Sequence, residues 1–234
     1  MLALVVFDLA GTTVKDNHDV SRALQTVLLK RKIDITIKQA DGVMGIPKPV
    51  AIQQLLANKL QDVNAIDPRF ISEIHEEFIA EMIRFYKTNP FVEEIEGTSE
   101  VFRRLKEHGI KVIVDTGFDR SITEAILERL GWRERNLIDG SVTSDEVKQG
   151  RPHPDMIFKA MEIARIKRTS QVAKVGDTVA DLQEGFNAGC RFVIGITSGA
   201  QEKKELESHY HTHLVHNIEQ VPPILIRESS TILQ

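Results

Sequence analysis

The chain has 234 residues, of which 41% are hydrophobic and 27% charged, with a formal net charge of −4 at pH 7. This composition is ordinary for a globular protein, and its dispersed basic residues argue against nucleic-acid binding. No apolar run approaches the roughly 20 residues of a membrane span, and the single cysteine, Cys190, excludes an intrachain disulfide framework. We therefore expect a cytoplasmic protein without a membrane segment or targeting signal.

The first predicted element is a strand over residues 2–7, a continuous apolar run that indicates burial on both faces. Asp8 follows directly, at the carboxyl end of this strand, and Gly11 comes soon after. Ligands of open parallel α/β sheets bind just beyond the carboxyl ends of the strands. Asp8 is therefore a candidate nucleophile or metal ligand. The alternative is that it only stabilises the following turn.

Residues 16–90 contain no convincing buried strand and are predicted to form an all-helical insertion. Apolar residues recur at helical spacing over residues 20–32, 50–60 and 71–86. Pro68 and Pro90 are start and stop signals for the third of these helices. The one glycine- and proline-rich interruption is the segment 42–49.

Strands and helices alternate from residue 91 onward, which predicts a parallel sheet with helices on both faces. The predicted strands cover residues 110–114, 137–142, 172–175 and 192–196, and the helices cover 98–108, 121–130, 154–166 and a segment ending at 188. The histidine-rich segment 209–216 is expected to be a loop leading to a strand around Leu214 rather than a metal site. The tail after Ile224 has little pattern.

Polar residues stand at the ends of several predicted strands, namely Asp8, Thr116, Asp177 and Thr197. If these strands are neighbours, the polar groups share one crevice. Asp8, Asp177 and Asp181 would then offer the carboxylate oxygens that Mg²⁺ prefers. The alternative for Asp177 and Asp181 is that they stabilise the start of the next helix.

Two further segments suit a phosphate group. Thr116 and the backbone N–H of Gly117 lie at a strand-to-helix turn, where phosphate oxygens can bind, although a simple helix cap fits equally well. Arg151 precedes a helix and can offer a planar fork to phosphoryl oxygens. The alternative for Arg151 is a solvated loop cation.

Taken in chain order, these motifs resemble those of the haloacid dehalogenase superfamily, and within it the phosphonoacetaldehyde hydrolases (phosphonatases). The segments that carry the resemblance are residues 8–13, 116–117, 150–152 and 176–181. Residues 44–48 also resemble the segment that carries the Schiff-base lysine of phosphonatases. The resemblance covers nearly the whole chain. It implies a Rossmann-like core, residues 1–15 and 91–234, with a small helical cap domain, residues 16–90, inserted after the first strand.

The resemblance also implies a two-site hydrolytic mechanism. Lys48 would condense with an aldehyde to give an iminium, and Asp8 would attack phosphorus to form an aspartyl-phosphate. The implied Mg²⁺ ligands are Asp8, Ala10 through its carbonyl, and Asp177, with Asp181 supporting the site. The implied substrate-binding residues are Thr116, Gly117, Arg151 and, in the cap segment, Met44. A homodimer through the cap is implied by the resemblance alone.

Ala10 is informative about the substrate. Phosphatases of this superfamily carry at this position a second Asp that protonates the leaving alcohol, an effect typically worth ~10²–10⁴-fold. An enamine released at Lys48 by C–P cleavage needs no acid there. Ala10 and Lys48 therefore both favour cleavage of phosphonoacetaldehyde or a related 2-oxoalkylphosphonate.

Three departures from the phosphonatase pattern leave the exact substrate open. Phosphonatases have a tyrosine at the position of Phe118, a histidine at that of Ala51 and a cysteine roughly at that of His18. One alternative is a phosphomonoesterase for a small metabolite that finds its acid elsewhere, for example at His18. Another is a non-catalytic protein that binds a phosphorylated ligand, against which the intact aspartates argue.

Overall fold

The computed structural model describes residues 1–59 and 66–230. Its strands are β1 (Leu4–Asp8), β2 (Lys111–Thr116), β3 (Gly140–Thr143), β4 (Val172–Gly176), β5 (Phe192–Ile196) and β6 (His213–Val215). They form a six-stranded sheet in the order β3-β2-β1-β4-β5-β6, and the pairings along it are parallel. The strand order therefore reverses between β1 and β4, which is where ligands bind in open α/β sheets.

Strand β1 lies at the centre of the sheet, and all five of its residues are buried. Successive side chains of a strand point to opposite faces. Leu4 and Val6 accordingly belong to one apolar cluster, and Val5 and Phe7 belong to a second, larger one. The predicted double-sided burial of this strand is therefore confirmed.

Helices cover both faces of the sheet. In the segment between β1 and β2 they are α1 (Asp19–Leu29), α2 (Ile37–Asp41), α3 (Lys48–Lys59), α4 (Pro68–Thr88) and α5 (Thr98–Glu107). They continue with α6 (Arg120–Leu130), α7 (Asp155–Ala164), α8 (Val179–Ala188), α9 (Lys203–Glu207) and α10 (Val221–Ser230). The predicted α/β fold, with a helical insertion after the first strand, is confirmed. Among the described helices, none combines the length and apolar character needed to cross a membrane.

The insertion leaves and rejoins the sheet region at neighbouring points. The backbone N–H of Lys15 donates a hydrogen bond to the carbonyl of Glu93 at 3.0 Å, and the N–H of Ile95 donates to the carbonyl of Thr13 at 2.9 Å. Val14 forms an isolated antiparallel bridge with Glu94 between them. The two connecting segments are thus held side by side.

Three helices differ from the sequence-based expectation, and one of them is the short helix α9, which was not predicted. Helix α2 was not predicted, although Thr36 and Gln39 form a capping box, a recognisable start signal. Residues 225–230 of the tail belong to α10, in which Val221 and Leu225 are buried against the larger apolar cluster. Some predictions fall outside the described residues. They are the helix end at residue 60, the assignment of residues 61–65 to the cap and that of residues 231–234 to the core.

Candidate active site

Three carboxylates meet at the carboxyl ends of β1 and β4. One oxygen of each of Asp8, Asp177 and Asp181 lies within 4.8 Å of the others, and all three residues are buried. Thr12 Oγ1 donates a hydrogen bond to Asp177 Oδ1 at 2.8 Å, and the backbone N–H of Ala200 donates to Asp177 Oδ2 at 2.6 Å. The Asp177 carboxylate is therefore held in one orientation.

Two glycines allow the surrounding loops to pass close to Asp177. A Cβ atom at either Gly11 or Gly199 would lie 2.2 Å from Asp177 Oδ2, which is far inside van der Waals contact. Gly11 also has a φ of +89°, in the left-handed region that favours glycine. The loops after β1 and β5 thus close around this carboxylate because they lack side chains there.

Asp181 has a second, local role at the start of α8. The backbone N–H of Thr178 donates a hydrogen bond to Asp181 Oδ2 at 3.1 Å, and the Thr178 side chain accepts one from the Asp181 backbone. This capping box is the alternative considered for Asp181 in the sequence. It coexists with the carboxylate cluster, in which one Asp181 oxygen lies within 4.8 Å of oxygens of Asp8 and Asp177.

The cluster concentrates negative charge. Burial raises the pKa of Asp8 to about 6, although the Arg151 guanidinium opposes the shift. Burial, followed by repulsion from Asp8 and Asp181, raises the pKa of Asp177 well above its usual range. Buried carboxylates in this arrangement lack positive charge on one side, and a hard divalent cation with oxygen ligands would supply it. The donor set therefore fits Mg²⁺.

Arg151 is buried behind the carboxylates. Its nitrogen atoms contact four acidic side chains: Nη1 lies 2.6 Å from Asp8 Oδ1 and 2.9 Å from Asp181 Oδ1, Nε lies 3.0 Å from Glu184 Oε2, and Nη2 pairs with Asp115. The planar fork is therefore occupied by protein carboxylates. Arg151 holds Asp8 and does not line the pocket described below.

Lys174 is a buried cation of the site that the sequence analysis did not single out. Its Nζ pairs with Asp115 and lies 3.2 Å from Asp181 Oδ1 and 2.9 Å from Glu184 Oε2. The oxygens of these three acidic residues are also close enough to hold a metal ion. Because Arg151 and Lys174 already pair with these residues, this second group is an ion-pair cluster. The sequence does contain a signal for it, because a lysine within the otherwise apolar strand β4 indicates a buried, paired cation.

A pocket of about 350 Å³, measured with its opening to solvent, lies above Asp8. It is lined by Asp8, Ala10, Asp16, Val20, Met44, Gly45, Lys48, Thr116, Gly117, Phe118, Thr178 and Ala200. Five of these residues come from the helical insertion or its first connection, and the others come from the loops after β1, β2, β4 and β5.

Lys48 is the first residue of α3 and is only 3% exposed. Its Nζ lies over the ring of Phe118, 5.2 Å from the centroid. Within residues 1–59 and 66–230, its ammonium makes neither a hydrogen bond nor an ion pair. Burial lowers the pKa of Lys48 to about 8, because desolvation outweighs the attraction of Asp8 and Asp16. The amine is thus more readily deprotonated than an exposed lysine.

The loop of the insertion that carries Met44 presses against the end of β2. A Cβ atom at Gly117 would lie 2.7 Å from the carbonyl oxygen of Ile46, so only glycine permits this approach. Thr116 Oγ1 accepts a hydrogen bond from the backbone N–H of Phe118 at 3.2 Å, which fixes the turn. Met44, Thr116 and Gly117 thereby line the same pocket as Asp8.

Several residues noted in the sequence lie elsewhere. His18 is exposed, its Nδ1 lies 3.1 Å from Asp41 Oδ1, and it does not line the pocket. Ala51 is fully buried, and Thr197 follows β5 without reaching the pocket. Asp16 lines the pocket although no sequence pattern singled it out. Its position depends on how the insertion packs over the sheet.

Comparison with known proteins agrees with this arrangement. The sequence profile of the haloacid dehalogenase-like hydrolases matches residues 5–194. The chain belongs to this family of hydrolases. Asp8, at the end of β1, and Asp177, after β4, both fall within the matched region.

Curated relatives extend over most of the chain. The phosphonoacetaldehyde hydrolase of Parabacteroides distasonis is 33% identical over 222 residues, covering 89% of this chain and 81% of the relative. One from Bacillus cereus is 34% identical over 209 residues, covering 85% of this chain and 76% of the relative. The predicted resemblance to phosphonatases is therefore confirmed.

Solved structures share the fold at lower identity. A phosphonoacetaldehyde hydrolase-like protein from Oleispira antarctica superposes with a TM-score of 0.82 at 20% identity, covering 97% of this chain and 92% of that one. A β-phosphoglucomutase from Clostridium difficile superposes with a TM-score of 0.78 at 18% identity, covering 100% of both chains. Proteins with different activities thus share this architecture, and the substrate has to be argued from the site.

Proposed function

We propose that this hydrolase cleaves the C–P bond of phosphonoacetaldehyde or a related 2-oxoalkylphosphonate. The observation that carries the proposal is the buried amine of Lys48, which shares one small pocket with Asp8 and Ala10. A buried lysine with a lowered pKa and without an ion-pair partner among the described residues is suited to attack a carbonyl group. The curated relatives named phosphonoacetaldehyde hydrolase support the same substrate class.

In this proposal the two ends of the pocket act in sequence. Lys48 forms an imine with the aldehyde carbon, and the iminium then accepts the electron pair of the breaking C–P bond. Asp8 attacks phosphorus from the floor of the pocket, and water later hydrolyses the aspartyl-phosphate. Arg151 holds the attacking carboxylate through its 2.6 Å contact with Asp8 Oδ1.

The remaining predicted site residues have supporting roles. Asp8, Asp177, the Ala10 carbonyl and, in support, Asp181 would hold Mg²⁺, which when bound would neutralise charge on the phosphoryl oxygens. Thr116 and Gly117 would bind those oxygens from the turn after β2, and Met44 would contact the substrate from the insertion. Arg151 would supply positive charge behind Asp8, but its guanidinium would not bind the phosphoryl oxygens directly.

We also propose the domain division 1–15 and 91–234 for the core and 16–90 for the cap. The paired connections at Lys15 and Glu93 support these bounds. The pocket would then open and close as the cap moves, which excludes water from the reaction. The homodimer implied by the resemblance stays a prediction.

Borohydride trapping tests the proposal. We expect wild-type protein incubated with phosphonoacetaldehyde and borohydride to gain one reduced adduct, located on Lys48 by mass spectrometry. Lys48→Arg keeps the positive charge but cannot form an imine, so it should give no adduct and no phosphate release. Lys38→Arg, an exposed lysine of the same insertion, is the matched control and should behave like wild type.

Two results would contradict the proposal. An unmodified Lys48 in protein that hydrolyses phosphate esters would favour the phosphomonoesterase alternative. Phosphate release from phosphonoacetaldehyde by Lys48→Arg would show that the imine is unnecessary. The position of His18 outside the pocket gives the alternative no acid at that residue.

A further inference from the structure

Asp16 brings a second carboxylate to the Lys48 end of the pocket. It lies in the connection between β1 and α1, is partly buried, and lines the pocket together with Lys48, Val20 and Phe118. No ion pair within 4.0 Å joins Asp16 to Lys48, although both lie in the described part of the chain. The two groups therefore share the pocket without neutralising each other through a direct ion pair.

The carboxylate of Asp16 is fixed by the backbone of α1. Its Oδ1 accepts hydrogen bonds from the N–H of Asp19 at 2.6 Å and from the N–H of Val20 at 3.3 Å. Within residues 1–59 and 66–230, Oδ2 has no hydrogen-bond partner. One oxygen thus anchors the side chain, and the other is available to a substrate or to Lys48.

Few other groups of the pocket can exchange a proton with Lys48. The titratable side chains among the pocket-lining residues of the described chain are Asp8, Asp16 and Lys48. Asp8 is bound to Arg151, and the proposed function assigns it to phosphorus. Phe118, which lies against the amine, has no proton to give or take. Asp16 is therefore the remaining acid–base group of this pocket for a proton exchanged at Lys48.

We propose that Asp16 is the general acid–base group for imine formation at Lys48, an inference that rests on the proposed function. Asp16 first takes a proton from the Lys48 ammonium, giving a neutral amine and a carboxylic acid. The amine then adds to the aldehyde, and transfer of its proton to the new oxygen gives a neutral carbinolamine. When nitrogen expels the hydroxyl group, Asp16 returns its proton to it, so that water leaves and the iminium and carboxylate remain.

The environment of Asp16 suits this exchange. Burial raises the pKa of Asp16, although the two backbone hydrogen bonds at Oδ1 oppose the shift. The pKa of this acid is raised and that of the Lys48 amine is lowered, so the two values lie closer together than in the free side chains. A proton therefore passes between them at a smaller free-energy cost. The sharing of one pocket by the two groups, rather than either pKa, is the basis of the assignment.

The test measures imine formation separately from phosphorus chemistry. We expect Asp16→Asn, which can still cap α1, to slow the formation of the borohydride-reducible Lys48 adduct by about 10²-fold or more. Phosphorylation of Asp8 by acetyl phosphate with Mg²⁺, followed by mass spectrometry, should change less than threefold. Asp34→Asn, which removes an exposed charge from the same insertion, should leave both rates unchanged.

A second variant guards against a purely structural effect. Asp16→Ala should show the same slow adduct formation, and added formate should restore part of the rate because it can occupy the vacated space. An adduct rate in Asp16→Asn within tenfold of wild type would overturn the role of Asp16 while leaving the proposed function intact. Absence of the adduct in wild-type protein would instead overturn both.

Discussion

The ammonium of Lys48 lies over the ring of Phe118, with Nζ 5.2 Å from the ring centroid. This contact joins the first residue of α3 in the insertion to the loop that follows β2 in the sheet. An aromatic face attracts a cation by roughly 0.5–2 kcal/mol but accepts no proton from it. The ring therefore positions the amine and favours its charged form less than a neighbouring carboxylate would.

Replacement of Lys48 by methionine should stabilise the protein at neutral pH. The pKa falls from an ordinary 10.5 to about 8 in the folded state, so keeping the charge buried costs about 3 kcal/mol. This cost is present in full below pH 8 and is relieved as the pH rises from about 8 to 10.5, because the unfolded chain then binds the extra proton. We expect Lys48→Met to raise the free energy of unfolding in urea at pH 7 by about 1–3 kcal/mol.

The exposed lysine at position 38 provides the control for that measurement. Lys38→Met should change the free energy of unfolding by less than about 0.5 kcal/mol, as is usual for surface substitutions. The difference between the Lys48 variant and wild type should shrink as the pH is raised toward 10. A lower stability of Lys48→Met at pH 7 would mean that the ammonium has a stabilising partner.

Gly117→Ala should separate the insertion from the sheet at the pocket. The added Cβ would lie 2.7 Å from the backbone oxygen of Ile46, and a backbone segment has to move to accommodate it. We expect KM for the substrate to rise at least tenfold while the melting temperature changes by only a few degrees. Gly42→Ala is the matched control, because its Cβ would meet only ordinary contacts at 3.5 Å or more. Equal KM values for the two variants would show that the approach at Gly117 is unimportant.

Mg²⁺ should stabilise the protein through Asp177. At a concentration one hundred times its dissociation constant, a ligand of the folded state adds about 2.7 kcal/mol to stability. We expect the melting temperature of wild type to rise on addition of Mg²⁺ and to return with EDTA. Asp177→Asn should lose this rise, whereas Asp34→Asn, at an exposed site, should keep it. A full Mg²⁺ response in Asp177→Asn would place the metal elsewhere.

Lys174→Met should be strongly destabilising. Removal of this cation leaves the buried carboxylates of Asp115 and Glu184 with Arg151 as their remaining neutralising partner. Loss of one partner from a buried ion pair typically costs about 3–5 kcal/mol. Urea denaturation should show a decrease of that size in the free energy of unfolding. Lys167→Met, at an exposed position, is the control and should match wild type. A loss below about 1 kcal/mol would mean that the cluster relaxes or takes up a proton.

The sheet and its polar strand ends were predictable because their signals are local. The apolar run before Asp8 and the short apolar run before Asp177 each predict a buried strand, and parallel packing then places both carboxylates at one edge. Helix α10 was harder to predict, because Pro222 and Pro223 suggest a loop, although prolines are tolerated in the first turn of a helix.

Contacts between distant segments could not be predicted from such patterns. The placement of Asp16 and Lys48 in one pocket depends on how the insertion sits on the sheet, and no spacing between the two residues encodes it. Arg151 precedes a helix in a manner typical of a solvated loop, yet it is buried because four carboxylates from β1, β2 and α8 surround it. In both cases the decisive information is three-dimensional.

The side-by-side connections at Lys15 and Glu93 make the insertion a removable module. Because its two ends are already joined by a backbone hydrogen bond, a foreign segment with similarly spaced ends could replace it without altering the order of strands in the sheet. The residues proposed for phosphorus chemistry would stay with the sheet, whereas Lys48 and Met44 would leave with the insertion. A lineage could thus change the molecule it consumes by exchanging one contiguous stretch of gene, while the residues at the strand ends remained untouched.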